Sequence, residues 1–257
     1  PMMELKEKKD YHLSSFSKHD DFEAYLRGVF VEKYGDAFVQ YREKWEGCSS
    51  RNYVPEFPLL VGIETIDTCN YACPHCYRSV SPSSTARNTL DMFKKIVDEG
   101  KEYDLPCIVF GGGSEPMLNK DIKEMLSYSM ENNVMDTILG TNGSLLTKEN
   151  INFLLDIEVS RVQISLDASS QDVYDIVRSK GKLSKIEEMI RYMYEERERR
   201  GQKLPILRTS FVVTEHNHHE VDAFKEKWGQ IVDKVDVQQY IDFNNVDDLQ
   251  DIEVEEI

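Results

Sequence analysis

An α/β fold, a partial (β/α)6 TIM-like barrel behind an N-terminal helical extension, is predicted by three features of the sequence. From Pro58 onward, six short apolar runs alternate with amphipathic helical stretches, the pattern of a parallel sheet whose strands are joined by helices. An eight-stranded barrel takes ~250 residues, and the stretch after residue 58 is too short for that, so six units fit and eight do not. Ahead of it, residues 20–46 carry apolar groups at helical rather than strand spacing.

That leading segment places Phe22, Tyr25, Leu26, Val29, Phe30, Tyr34, Phe38, Tyr41 and Trp45 on a helical period, with Gly28 and Gly35 as breaks and residues 47–51 as a connector. It is expected to pack on the outside or end of the main domain, so that residues 1–57 form an extension and 58–240 the core. Within the core, strands are expected at 59–66, 106–110, 135–140, 161–166, 206–213 and 234–240. Helices are expected near 89–103, 119–132, 147–156 and 218–229, with one or two more over 170–200. The charge run from Glu195 to Arg200 reads as a solvated helix face. Right-handed crossovers curl such a sheet into an open barrel. Beyond Tyr240, an acidic tail (241–257) carries Asp242, Asp247, Asp248, Asp251, Glu253, Glu255 and Glu256 with no Lys or Arg, a composition expected to be loosely docked or disordered.

The formal charge of −16 argues against nucleic acid as a principal partner, because phosphate binding needs a basic stripe. No run is apolar and long enough to span a membrane, and the first residues lack the apolar core of a signal peptide, so a cytoplasmic protein with no membrane partner is expected. Five cysteines, an odd number, do not read as a disulfide framework. Cys107 falls in a buried strand, where a free thiol behaves as a small hydrophobe, and Cys48 stands alone in a loop.

The other three, Cys69, Cys73 and Cys76, lie in Cys-Asn-Tyr-Ala-Cys-Pro-His-Cys-Tyr directly after the first predicted strand. The spacing supplies three thiolates on one loop, one fewer than a [4Fe-4S] cluster normally takes, which leaves one iron open to a small chelating molecule. A zinc site using His75 as fourth ligand is the alternative. Structural zinc sites usually draw on two separated pairs, and adjacent His75 and Cys76 are poorly placed to point at one ion.

The stretch Glu64-Thr65-Ile66-Asp67-Thr68-Cys69-Asn70 and the cysteine triplet after it resemble the cluster loop of the radical S-adenosylmethionine (SAM) enzymes, and the likeness runs in order through most of residues 58–240. It implies the six-stranded open barrel already expected, one [4Fe-4S] cluster on Cys69, Cys73 and Cys76, and SAM as second cofactor. Tyr77, after the third cysteine, matches an aromatic position that borders adenine. The run Phe110-Gly111-Gly112-Gly113-Ser114-Glu115-Pro116 resembles the family's Gly-Gly-Glu-Pro element, which receives the methionyl amino group; Ser114 stands where glycine is usual. Gly112, Gly113, Ser114 and Glu115 are therefore candidate SAM contacts. Thr141-Asn142-Gly143 resembles the turn after the third strand, though Asn-Gly signals a turn anywhere. Ser165 and Arg178 match the positions that hold the SAM carboxylate, a role that a two-pronged guanidinium suits. Val213 lies where relatives contact adenine through the backbone. Arg208 and Ser210 are candidates for the barrel interior. Asp167 is a candidate cap for the helix that follows it, Asn217 is read as capping a helix from residue 218, and His216, His218 and His219 as exposed or as supporting side chains.

The resemblance implies one-electron reduction of the cluster and cleavage of SAM to methionine and a 5′-deoxyadenosyl radical that abstracts hydrogen from a substrate. A low-potential donor, flavodoxin or ferredoxin, is implied, with Arg51, Arg78 and Arg87 as a local docking patch. The branch resembled modifies peptides or small metabolites, with a core like that of the SPASM-type enzymes. A glycyl-radical enzyme activase and a degenerate iron–sulfur binding subunit are the alternatives, and no catalytic residue is assigned. Substrate is expected over the strand C-termini, with the N-terminal helix and the acidic tail bordering the lateral opening.

Overall fold

A computed structural model of the protein describes residues 14–79, 81 and 83–241. The acidic tail falls almost wholly outside the described residues. Six parallel strands lie side by side in chain order: β1 (Leu60–Ile63), β2 (Cys107–Phe110), β3 (Asp136–Thr141), β4 (Arg161–Ser165), β5 (Ile206–Val213) and β6 (Lys234–Gln239). The crossovers are α3 (Leu90–Lys101), α4 (Ile122–Glu131), α5 (Lys148–Asp156), the pair α6 (Gln171–Val177) and α7 (Leu183–Arg199), and α8 (Val221–Trp228). Local chemistry sets the helix starts: Thr89, Thr147 and Ser170 each accept a backbone N–H through the side-chain hydroxyl at an N-cap.

Strand alternation divides the molecule into a helix-facing core and a concave face. Leu207, Phe211, Val213, Val235 and Val237 are buried with Phe224 and Trp228 of α8. Alternate residues Arg208, Ser210 and Asp236 therefore face the other way, as period two requires. β1 is shorter than the expected 59–66. Past Ile63 the chain leaves the ladder, because Thr65 is held from the side: its carbonyl accepts from Asn119 Nδ2 (2.7 Å) and its hydroxyl donates to the carbonyl of Pro116 (3.3 Å). The outer edge of β6 is partly covered by Phe16, which exchanges two antiparallel backbone bonds with Val235 (2.9 and 2.7 Å).

The helical extension is a hairpin of α1 (Phe22–Tyr34) and α2 (Asp36–Ser49). Gly35, with φ of 58°, makes the break in a conformation that glycine adopts freely. Gly28 does not break anything; it sits inside α1, and α2 runs on through Ser49, so the connector begins later than expected. Phe22, Leu26, Val29, Phe30, Phe38 and Tyr41 pack against Leu204 and against Cys107 and Ile206, the first residues of β2 and β5. The hairpin thus seals the N-terminal end of the barrel, opposite the mouth it was expected to border. Beneath it, Arg161 grips Asp136 through two nitrogens, one at 2.7 Å, while its guanidinium lies 5.4 Å from the Phe30 ring.

The charge run on α7 is only partly solvated. Arg197 is buried and pairs with Asp233 through both terminal nitrogens (2.5 and 3.2 Å), since the helix face it occupies turns toward the sheet. Among the described residues, no helix is long and apolar enough to cross a membrane.

Candidate functional site

The three motif cysteines lie on the loop between β1 and α3, where the first strand opens onto the C-terminal end of the sheet. Cys73 is buried, and Cys69 and Cys76 are half-buried. N–H donors point at two of the sulfurs: the Tyr71 amide (3.5 Å) and Asn142 Nδ2 (3.8 Å) at Cys69 Sγ, and Arg178 Nη1 (3.8 Å) at Cys73 Sγ. Burial pushes the Cys73 thiol up to about 11, with the positive charge of Arg178 working against it. A cationic partner is therefore needed to hold this sulfur as a thiolate.

The loop is stitched to the end of β3. Asn142 Nδ2 donates to Asn70 Oδ1 (2.9 Å), and Asn70 Nδ2 donates to Ser144 Oγ (2.8 Å). The Thr141-Asn142-Gly143 segment thus does more than turn the chain: it orients the cysteine loop. Its own anchor is Glu115, which accepts from Thr141 Oγ1 (2.8 Å) and from the Asn142 amide (2.7 Å) and is 1 % exposed.

The glycine run after β2 lies beside the cysteine loop. Gly111 and Gly112 have φ of 142° and 133°, conformations that side chains rarely adopt. The Gly113 amide donates to Glu64 Oε1 (2.6 Å), and its carbonyl accepts from Arg78 Nε. A Cβ on Gly113 would fall 1.5 Å from Tyr77 Oη, so Tyr77 packs directly over this glycine. Ser114 Oγ is buried with no hydrogen-bond partner among the described residues.

At the end of β4, the Ser165 and Ser210 hydroxyls are 3.2 Å apart on the concave face. Asp167 follows in a left-handed conformation (φ 60°) and does not cap α6; Ser170 does. Its carboxylate is fully buried and reaches Arg178 Nη2 (2.5 Å), His75 Nε2 (3.1 Å) and the Val212 amide (2.8 Å). Burial works against the charge on Asp167, but Arg178 and His75 outweigh it and hold the carboxyl below its ordinary range. Asn217 stands at the N-cap of a short helical turn from His218, as expected, but its side chain makes no cap bond. Its side chain accepts from the Thr214 amide (2.6 Å) and donates to the carbonyls of Asp167 and Val212 (both 2.9 Å), bracing β4 against β5. Val213 turns its side chain into the helix-facing core, leaving only its backbone for a ligand. Arg208 bonds Asp236 (2.8 Å), and Arg78 is tied inward to Asp67 (2.5 Å), which removes it from the expected docking patch.

Every candidate SAM contact except the Val213 side chain therefore gathers at the same end of the sheet as the cysteines. The donor set fits an iron–sulfur cluster and a small polar ligand: three sulfurs with N–H groups aimed at two of them, a glycine cradle, and the unpartnered Ser114 Oγ and Arg178 Nε. A single metal ion fits less well. The alternative zinc site needs His75 as its fourth ligand, and His75 turns its Nε2 to Asp167 instead.

An open parallel barrel with a three-cysteine loop at the C-terminal ends of its strands places these groups where barrel enzymes build their active sites. The family model of the Radical SAM superfamily matches residues 63–227, and the chain belongs to this family of enzymes. An AdoMet-dependent heme synthase of Methanosarcina barkeri is 32% identical over 123 residues, 47% of this chain and 34% of the relative. Mycofactocin maturase MftC of Mycolicibacterium smegmatis is 32% identical over 124 residues, 48% of this chain and 31% of the relative. The match thus spans about a third of the length of these curated relatives. Among solved structures, Streptococcus suis SuiB bound to precursor peptide SuiA superposes with a TM-score of 0.58 at 20% identity, covering 77% of this chain and 43% of SuiB. The enzyme anSMEcpe with bound AdoMet gives 0.57 at 20% identity, covering 71% of this chain and 51% of that one. At that identity the likeness is one of fold, the partial barrel.

Proposed function

We propose that the chain binds one [4Fe-4S] cluster through Cys69, Cys73 and Cys76, binds SAM beside it, and modifies a peptide by hydrogen abstraction. When bound, the cluster and SAM together supply a 5′-deoxyadenosyl radical after one-electron reduction. The protein's own residues bind and orient. Gly112 and Gly113 allow close backbone approach to the methionyl end of SAM, Ser114 offers its unpartnered hydroxyl, and Glu115 fixes the loop that presents them. Ser165 and the free Nε–H of Arg178 receive the carboxylate, and Tyr77 and the Val213 backbone border the adenine. A flavodoxin or ferredoxin supplies the electron.

The observation that carries this reading is the convergence of N–H donors on Cys69 and Cys73 at the mouth that also holds the unpartnered polar groups. The peptide assignment rests on the maturase MftC and on SuiB, which was solved with a precursor peptide. A small metabolite is the second reading, supported by heme synthase relatives of equal identity. Anaerobic reconstitution tests the core of the proposal: about four irons per chain are expected. The iron should be lost when Cys69, Cys73 and Cys76 are replaced by Ala and kept in Cys48→Ala and Cys107→Ala. About eight irons, or stoichiometric zinc in place of iron, would refute it.

A further inference from the structure

The buried pair formed by Arg178 and Asp167 is more than a fold contact, because of where each end points. The Arg178 side chain is 12% exposed and Asp167 is fully buried, with Nη2 at 2.5 Å from Oδ2. The second arm of the guanidinium, Nη1, lies 3.8 Å from Cys73 Sγ. Asp167 in turn holds Nε2 of His75, which sits on the loop between Cys73 and Cys76. Glu115 also feels Arg178, and its oxygens are committed to Thr141, Asn142 and Met117. One positive group therefore stands beside a cluster sulfur, with one negative group directly behind it.

Iron–sulfur potentials depend on net charge, on hydrogen bonds to the sulfurs and on solvent exposure. A cation with an N–H aimed at a ligand sulfur favours the reduced, more negative cluster. A carboxylate paired to that cation draws the charge back and opposes reduction. In a site shielded from water, both effects are felt more strongly than at a surface.

We propose that Arg178 and Asp167 are positioning residues that set the reduction potential of the cluster at Cys73, Arg178 raising it and Asp167 holding that rise in check. This rests on the cluster assignment made above. It assigns Arg178 a role through its Nη1 arm that is separate from any contact of its Nε–H with SAM. The left-handed conformation of Asp167 belongs to the same device: it folds the carboxylate back beneath the cysteine loop, where the Val212 amide fixes one oxygen (2.8 Å).

The test is anaerobic redox titration of the reconstituted chain without SAM, followed by electron paramagnetic resonance of the one-electron-reduced cluster. Iron content is measured first for every variant. Arg178→Gln should lower the potential by about 59 mV, a tenfold change in the one-electron equilibrium constant. Arg178→Lys, which keeps the charge without the fork, should fall between it and wild type. Asp167→Asn should move the potential upward, because Asn tolerates the left-handed conformation and keeps the shape while removing the charge. Shifts of opposite sign are the signature, since loosening of the loop would move both variants the same way. Unchanged potentials, or shifts of the same sign, in variants that retain about four irons would overturn the inference and leave the cluster assignment standing. A wild-type chain that takes up no iron would overturn both.

Discussion

Glu115 and Asn142 are joined by a 2.7 Å hydrogen bond from the Asn142 amide to Glu115 Oε2, and through it the glycine loop after β2 is bound to the turn after β3. Asn142 passes the connection on to Asn70 and to Cys69. Three consecutive strand ends are thereby held in one arrangement by a single buried carboxylate.

That carboxylate is expected to carry a pH-dependent cost. Burial pushes Glu115 above its ordinary 4.5, against the bonds from Asn142, Thr141 and Met117 that pull it down. A folded value above the unfolded one means the folded chain holds the proton more tightly. The stabilisation that follows is full below the unfolded value and is lost as pH rises through the folded one. Glu115→Gln keeps the shape without the charge, so its stability relative to wild type should improve from pH 4.5 toward neutrality. Glu115→Ala leaves the Asn142 amide and the Thr141 hydroxyl without their partner and should cost about 1–3 kcal/mol at pH 4, a gap that narrows toward neutrality as wild type gives up its proton-linked share. Urea midpoints at pH 4 and pH 7 check both, and a Gln variant that weakens as pH rises would contradict the argument.

The N-terminal hairpin should prove integral to the barrel. Phe30→Ala should cost about 3–5 kcal/mol, as truncation of a buried aromatic does. Arg161→Ala should cost about 3–5 kcal/mol because Asp136 is left buried and unpaired, whereas Arg161→Met paired with Asp136→Leu should recover most of that loss. Chemical denaturation should show one transition for hairpin and barrel. Two separate transitions would show that the hairpin is an independent appendage.

What was legible in the sequence follows from the range of the forces involved. The six apolar runs and the helices between them are local patterns, and the strands begin and end within one residue of expectation, apart from the early end of β1. The cysteine triplet is equally local. The links among strand ends are not: Asn142 and Cys69 are 73 residues apart, and Asp167 and Arg178 meet only because Asp167 adopts a positive φ that its neighbours do not announce. Asp167 and Asn217 carry the side chains expected of helix caps, and the barrel uses both across strands instead. Charged neighbours mark Arg197 as solvated in the sequence, and only Asp233, just ahead of β6, shows why it turns inward.

Asp233 should make the lower end of the barrel sensitive to acid. Burial raises its carboxyl, but Arg197 and Lys18 more than compensate, and it is held below the ordinary 3.8. A depressed folded value gives stability that is present above the unfolded value and lost as pH falls through the folded one. Asp233→Asn should therefore cost about 3–5 kcal/mol near neutral pH. The gap to wild type should close below pH 3.8, as acid unfolding curves of the two proteins would show. A gap that stays constant to pH 2 would mean the contact is steric rather than ionic.

Tyr77 and Gly113 share one space, and that gives a test of the SAM assignment independent of iron. A methyl group on residue 113 would fall 1.5 Å from the Tyr77 hydroxyl, an impossible separation, so the ring must swing away in Gly113→Ala. Tyr77 is the movable partner, since its Oη is the far end of a side chain while Gly113 is fixed by its amide bond to Glu64 (2.6 Å). If Tyr77 borders the adenine as proposed, Gly113→Ala should weaken SAM binding to the cluster-loaded chain about tenfold, or roughly 1.4 kcal/mol. Tyr77→Ala should cost a similar amount by removing the ring outright. Where the methyl group acts by displacing the ring, the double variant should lose less than the sum of the two single losses. Anaerobic equilibrium binding of SAM to the four proteins closes the cycle. Losses that simply add would show that the methyl group blocks the backbone approach to SAM by itself, and unchanged binding in Tyr77→Ala would overturn the adenine role of Tyr77.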